Sequence, residues 1–89
     1  MVWRAEFTPE AAKTLTRIER GTATRIVRFM RERVSRLEDP RSIGAPLKGN
    51  TFSGLWRYRV GDYRVLCKIQ DQQITILIVL IGHRREVYA

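Results

Sequence analysis

Two short segments of this 89-residue chain concentrate groups that could act on a phosphodiester. In the first, arginine alternates with large apolar residues around one Gly-Asp pair, and its cations are Arg57, Arg59 and Arg64. The second follows a long apolar run and contains His83, Arg84, Arg85 and Tyr88. Cleavage of RNA without a metal requires cations that neutralise the charge developing on the phosphate, together with a base and an acid. These residues are therefore candidates for a ribonuclease site.

The tyrosine and the histidine are the candidate proton carriers. Neighbouring arginines favour the phenolate form, so we expect Tyr88 to have a pKa below the usual value of about 10. His83 is the second candidate proton carrier, because the ordinary pKa of histidine is about 6.5. Both residues have plainer interpretations. His83 could be a surface residue at a strand end, and Arg85 could form a surface ion pair with Glu86 or Glu10.

The first arginine segment has the sequence of a tight β-hairpin. Its period-2 alternation predicts two half-buried strands, residues 55–60 and 63–69, joined by Gly61-Asp62. A two-residue loop places Arg59 opposite Arg64 and Arg57 opposite Leu66. The predicted core face carries Trp56, Tyr58, Val60, Tyr63, Val65 and Cys67. The opposite face carries Arg57, Arg59, Arg64 and, further along, Lys68.

The charge distribution points to an anionic partner. The chain has 17 basic and 9 acidic residues and a formal net charge of +8, which favours nucleic acid, acidic protein segments or anionic membranes. Like charges directly opposed across two strands destabilise a sheet, so a face that tolerates them is predicted to bind a polyanion. The predicted RNA-binding residues are Lys48, Arg57, Arg59, Arg64, Lys68 and Arg85. A solvated surface is the preferred interpretation of the arginines on the helices.

The elements that position these residues indicate an α+β fold in the order β-α-α-β-β-β. A strand over residues 2–7 leads to a helix that starts at Thr8-Pro9-Glu10. Thr22 is predicted to cap a second helix, which carries an apolar stripe and ends before Asp39-Pro40. A last strand over residues 74–81 is apolar on both faces and is expected at the sheet centre. We predict one domain over residues 1–89, with an antiparallel sheet and both helices on one face.

Other functional classes find little support in the sequence. One histidine and one cysteine give no metal-binding spacing, no phosphate loop is recognisable, and we expect no metal and no cofactor. Cys67 is interpreted as a buried apolar residue rather than a catalytic thiol. No signal peptide is recognisable and the longest apolar run is too short for a bilayer, so the expected location is the cytoplasm, without membrane contact.

These motifs together resemble the RelE/ParE superfamily of type II toxins. The resemblance rests on Leu47-Lys48-Gly49, on the hairpin over residues 55–65, and on Ile81-Gly82-His83-Arg84 followed by Val87-Tyr88. It extends over essentially the whole chain and includes the element order and the helix start at Thr8. RelE-like members cut mRNA in the ribosomal A site, whereas ParE-like members inhibit DNA gyrase without being nucleases.

The resemblance implies catalytic roles by position. In the RelE-like pattern, the cations are Arg57, Arg59, Arg64 and Arg84, and the terminal tyrosine is Tyr88. The first two positions are commonly lysine in RelE-like toxins. Arginine remains protonated and is a poor base, so proton transfer would fall to Tyr88, with His83 as the alternative. We therefore expect a ribosome-dependent mRNA endoribonuclease that needs no metal. The alternatives are a ParE-like gyrase inhibitor and a non-toxic relative that only binds an antitoxin.

The resemblance also implies the partners of the chain. A cognate antitoxin should contribute an acidic, amphipathic segment, because it must cover basic and apolar surface together. A heterotetramer of toxin and antitoxin is one expected assembly. The ribosome and its mRNA are the other expected partners.

Overall fold

The computed structural model describes residues 2–49 and 52–87. Its strands and α-helices, in chain order, are β1 (Arg4–Phe7), α1 (Pro9–Arg17), α2 (Arg20–Arg28), β2 (Ala45–Pro46), β3 (Trp56–Val60), β4 (Tyr63–Gln70), β5 (Thr75–His83) and α3 (Arg84–Val87). A π-helical turn (Phe29–Arg33) and a 3-10 turn (Val34–Arg36) continue α2, and a second 3-10 turn (Pro40–Ser42) precedes β2. The predicted α+β class is confirmed, and β2 and α3 are additions to the predicted order.

The strands form one mixed sheet in the order β1-β5-β4-β3-β2. The antiparallel prediction holds for β3, β4 and β5, which form a meander. It is wrong for β1, which pairs with β5 in parallel, with Arg4 opposite Thr75 and Phe7 opposite Ile78. The sequence could not reveal this pairing, because local alternation carries no information about a partner strand at the other end of the chain. The apolar strand β5 is an interior strand between β1 and β4, but the centre of the five-stranded sheet is β4 rather than β5 as predicted.

The β3–β4 hairpin has the predicted register. Arg59 lies opposite Arg64, Arg57 opposite Leu66 and Val60 opposite Tyr63. The two-residue turn fixes this register, and Gly61 adopts the positive φ of 59° that such a turn requires. The predicted core face is also confirmed. Its residues are either buried in the core or packed against it: Trp56, Tyr58, Val60, Tyr63, Val65 and Cys67.

The helices pack on the core face of the sheet, and they differ from prediction in their bounds. Thr8 caps α1 as expected, because its hydroxyl oxygen accepts a hydrogen bond from the Ala11 N–H at 3.2 Å. The cap of α2 is Glu19 rather than Thr22. The Glu19 carboxylate accepts hydrogen bonds from the Gly21 N–H at 2.9 Å and from the Thr22 hydroxyl at 3.1 Å. The α-helical geometry ends at Arg28, where the π-helical turn takes over.

The core joins both helices to the inner face of the sheet. Fully buried contributors include Ile26 and Met30 from the helical segment and Ile76 and Ile78 from β5. Cys67 is buried as expected, and this burial raises the pKa of its thiol well above the ordinary value. Within residues 2–49 and 52–87, the helices lack the combined length and apolar character needed to cross a membrane.

Candidate phosphate-binding site

The predicted arginine face begins with a row of residues across three strands. Arg59 of β3 faces Arg64 of β4, and Arg64 in turn faces Gly82 of β5. The next row places half-buried Arg57 beside the fully buried Leu66. Arg59 itself is exposed. Side chains on one face of a sheet are near neighbours across the strands, so these arginines share one end of the hairpin.

Arg64 is the buried member of this row. Only 8% of its surface is exposed, which is rare for an arginine. Its Nη1 donates hydrogen bonds to the Gly61 carbonyl at 3.2 Å and to the Tyr63 carbonyl at 3.0 Å. Among the described residues, no group accepts a hydrogen bond from its buried Nε. A buried charged donor without an acceptor is costly, and a bound anion would supply the acceptor.

The hairpin turn also holds Arg84. The Arg84 N–H donates to the Asp62 carbonyl at 2.8 Å, and the Arg84 Nε lies 3.7 Å from Asp62 Oδ1. Arg64 and Arg84 are thus tied to adjacent turn residues, Gly61 and Asp62. The sequence pattern indicates only a turn position for Asp62 and does not reveal this second role. An acid in a turn next to several arginines was the available signal.

Gly82 gives α3 room to fold back against the sheet. A Cβ added at Gly82 would lie 2.7 Å from Val87 Cγ2, so a methyl group there would overlap with Val87. Glycine in a strand often marks such a close approach. The segment carrying Arg84 therefore turns across the row that contains Arg64. Tyr88, the predicted proton carrier, lies outside the described residues.

His83 lies on the opposite face of the sheet from this row. It pairs with Tyr63, and the two rings meet edge to face with centroids 5.6 Å apart. Its Nδ1 accepts a hydrogen bond from the Arg85 N–H at 3.2 Å, which leaves the ring proton on Nε2 in the neutral form. His83 is thus placed to support the first turn of α3. Its role as proton carrier stays a prediction, and the pairing separates it from the arginines.

The remaining predicted RNA-binding residues are Lys68, Lys48 and Arg85. Lys68 is exposed and lies four positions along β4 from Arg64, which corresponds to about 13 Å along a strand. Lys48 is exposed in the loop after β2. Arg85 is exposed on α3. The structure thus places Arg57, Arg59 and Arg64 at one end of the hairpin and ties Arg84 to its turn, whereas Lys68 lies apart from them along β4.

The whole chain is similar to characterised toxins. A family profile described as "ParE toxin of type II toxin-antitoxin system, parDE" matches residues 5–88. The chain belongs to this family. It is a toxin of a type II toxin–antitoxin system and a member of the RelE/ParE superfamily, as the resemblance predicted. The toxin is 30% identical to Toxin RelG of Mycobacterium tuberculosis, over 99% of this chain and 98% of that protein. It is 33% identical to Toxin RelE of the same organism, over 97% of this chain and 86% of that protein.

Solved structures show the same architecture. The toxin superposes on a chain of the RelBE2 toxin–antitoxin complex from M. tuberculosis with a TM-score of 0.83 and 28% identity, covering 97% of this chain and 95% of that chain. A chain of the archaeal RelE–RelB complex from Pyrococcus horikoshii gives a TM-score of 0.75 at 25% identity, with coverage of 97% and 99%. The isolated RelE toxin of Escherichia coli, at 16% identity, shares the fold with a TM-score of 0.68.

Proposed function

We propose that this toxin is a ribosome-dependent mRNA endoribonuclease that acts without a metal. The observation that carries the proposal is the row of Arg59, Arg64 and Gly82, because it places an exposed and a buried arginine opposite each other on one face of the sheet. The buried Nε of Arg64 favours an oxygen ligand, and the arginine fork matches the geometry of phosphate. The similarity to Toxin RelE supports the same activity.

The proposed reaction is an in-line displacement at phosphorus. The 2′-oxygen bonds to the adjacent phosphorus as its proton passes to a base, and the bond from phosphorus to the 5′-oxygen breaks. The 5′-oxygen takes up a proton, which leaves a 2′,3′-cyclic phosphate and a 5′-hydroxyl. Arg57, Arg59 and Arg64 stabilise the negative charge of the transition state. Proton transfer is assigned to Tyr88, with Arg84 beside the leaving oxygen.

We further propose that an antitoxin neutralises the toxin through an acidic, amphipathic segment. Two of the similar structures are complexes of RelE-type and RelB-type chains, which supports a partner of this kind. The excess of positive charge on the toxin gives such a segment its electrostatic complement.

A ParE-like inhibitor of DNA gyrase is the second candidate, because the matching family profile is that of the ParE toxins. Such a toxin would act by binding alone. It would leave mRNA intact and cause DNA breaks that depend on gyrase. The nuclease is favoured because the chain has arginine at the four cation positions of the RelE-like pattern, Arg57, Arg59, Arg64 and Arg84.

The test compares Arg59→Gln with Arg17→Gln on ribosomes stalled on a defined mRNA, with 5′ ends mapped by primer extension. Both arginines are exposed, and neither forms an ion pair among the described residues. The unmodified toxin should cut within the A-site codon, and Arg59→Gln should slow cleavage about 100-fold, as expected for loss of a transition-state contact. Arg17→Gln should match the unmodified toxin. Intact mRNA with a toxin that inhibits gyrase would replace the proposal by the second candidate.

A further inference from the structure

A groove lined by arginine runs around the open edge of β3. Its first part is a depression of about 400 Å³ on the helical side, and its second part is a depression of about 450 Å³ that reaches β3. Phe29 and Arg33 line both parts, so the two depressions adjoin. We call the combined surface the arginine groove. The residues that matter to its chemistry are Arg25, Arg28, Phe29, Arg33, Arg57 and Arg59.

Two structural features open this groove. β2 pairs only with Trp56 and Arg57, so among the described residues the rest of the outer edge of β3 has no neighbouring strand. The π-helical turn begins at Phe29 and ends at Arg33, the two residues shared by both parts. A π-helical turn redirects the side chains that follow an α-helix and occurs often at functional sites. Here it directs a half-buried aromatic ring and an exposed arginine toward the strand edge.

The charge of the groove is strongly positive and largely uncompensated. Its one carboxylate, Glu32, pairs with Arg28 at 3.4 Å. Within the described part of the chain, Arg25, Arg33 and Arg59 form no ion pair, and all three are exposed. A Cβ added at Gly61 would lie 3.1 Å from Arg25 Nη1, so Arg25 extends the charge to the hairpin turn. Arg25 and Arg33 line one groove, and the solvated surface predicted for the helical arginines is the alternative that the test below addresses.

We propose that the arginine groove binds the backbone of single-stranded RNA as a positioning site next to the phosphate that is cleaved. The proposal rests on the proposed function in one respect, because the groove ends at Arg57 and Arg59 of the candidate phosphate-binding site. A strand held there continues along Arg33 and Arg25. Guanidinium groups pair with successive phosphates, and Phe29 gives a base or ribose an apolar floor. RNA is favoured over an acidic peptide because the groove is continuous with the candidate phosphate-binding site.

The test uses a double variant outside the cleavage site, Arg25→Ala with Arg33→Ala. The matched control is Arg17→Ala with Arg36→Ala, which removes the same charge from exposed helical positions that do not line the groove. The probe is a short, fluorescent, fully 2′-O-methylated RNA, which the toxin cannot cleave. Anisotropy gives its affinity over a range of salt concentrations. A short polyglutamate peptide is measured in parallel.

The groove variant should bind the RNA about tenfold more weakly, and the slope of log affinity against log salt should fall by about 1.4, or about 0.7 for each lost phosphate contact. The control variant should keep the slope. On stalled ribosomes the groove variant should have a higher KM than the unmodified toxin and a kcat within about twofold of it. The variant retains Arg57, Arg59, Arg64 and Arg84. A change in kcat alone would contradict a positioning role.

Three other outcomes have definite meanings. Equal losses in the groove and control variants would overturn the proposal, because only general charge would then matter. Loss of polyglutamate binding with unchanged RNA binding would also overturn it and assign the groove to an acidic protein. If the unmodified toxin leaves mRNA intact while the groove variant still loses RNA affinity, the proposed nuclease fails and the RNA-binding groove stands.

Discussion

The two faces of the β3–β4 hairpin come from alternate residues of the same strands, yet they differ in how their buried polar groups are hydrogen-bonded. On the core face, Tyr58 is buried and its hydroxyl donates a hydrogen bond of 2.6 Å to the Pro40 carbonyl. On the arginine face, Arg64 is almost as buried, but among the described residues its Nε has no acceptor. The first face satisfies its polar groups within the protein. The second leaves the Arg64 Nε without an acceptor among the described residues, and the proposed function assigns this donor to a phosphate.

Truncation of a core side chain should lower the free energy of unfolding and leave the activity of the folded toxin nearly unchanged. Ile78→Ala removes a fully buried side chain from the core side of β5 and should lower the free energy of unfolding by about 2–5 kcal/mol. Leu77→Ala, its half-buried neighbour, should cost clearly less. Urea denaturation measures both values. Cleavage by the folded fraction of each variant should remain within about twofold of the unmodified toxin. Equal losses of unfolding free energy in the two variants would show that both faces of β5 are packed alike.

Gly82→Ala should damage the arginine face with little effect on stability. The new methyl group would meet Val87 Cγ2 at 2.7 Å and displace α3, which carries Arg84. In the proposed mechanism Arg84 lies beside the leaving oxygen, and misplacement of such a group by about 1 Å can slow a reaction about 100-fold, so we expect the proposed cleavage to fall by about 10- to 100-fold. Adding Val87→Ala should restore most of the activity by making room. If the double variant is as slow as Gly82→Ala, the contact with Val87 is not the cause.

Tyr58→Phe should lower the free energy of unfolding by an amount that depends on pH. The variant loses the hydrogen bond to Pro40, at a cost of about 1–2 kcal/mol near neutral pH. Burial raises the pKa of Tyr58, so the folded toxin keeps a proton that the unfolded chain loses above about pH 10. The stability of the unmodified toxin should therefore fall above this pH, and that of Tyr58→Phe should fall less steeply. Denaturant titrations from neutral to alkaline pH test this difference, and parallel slopes would contradict it.

The smallest effect is expected outside both faces, at the ion pair of Arg41 and Asp71. The two terminal guanidinium nitrogens of Arg41, Nη1 and Nη2, donate to the Asp71 carboxylate at 2.9 Å, and these hydrogen bonds lower the pKa of Asp71. A lowered pKa adds stability above the unfolded pKa of about 4, and this gain is lost as the pH falls through the folded value. Asp71→Asn should thus lower the melting temperature slightly near neutral pH and leave it unchanged in strong acid. A melting temperature that stays lower than that of the unmodified toxin in strong acid would show that the substitution acts through packing rather than through the charge of Asp71.

Local patterns in the sequence predicted what depends on local geometry. The register of Arg59 and Arg64 followed from a two-residue turn, and the cap at Thr8 followed from the Pro at the first helical position. The partner of β1 did not follow, because pairing between distant segments depends on the packing of the whole chain. The start of α2 was missed because the Glu19 side chain reaches two donors, a role more often taken by Ser, Thr, Asp or Asn.

The sequence pattern predicted which arginines share a face of the hairpin but not how deeply each is buried. Alternation assigned Arg57, Arg59 and Arg64 to one face, but it could not distinguish the exposed Arg59 from the buried Arg64. That difference depends on how Arg64 folds back to the hairpin turn. The opposite placement of His83 follows from its pairing with Tyr63. That pairing in turn depends on the irregularity between Leu66 and Cys67, which a single-sequence pattern does not reveal.

The parallel pairing of β1 with β5 has a consequence for synthesis of the toxin. β5 is made after the other four described strands, yet it lies between β1 and β4 and joins them. Until it emerges, β1 has no sheet partner and the hairpin lacks the neighbour that carries Gly82 and leads to Arg84. Contacts between distant parts of a chain also form slowly. A nascent toxin should therefore complete its arginine row only after nearly all of the described chain has been translated.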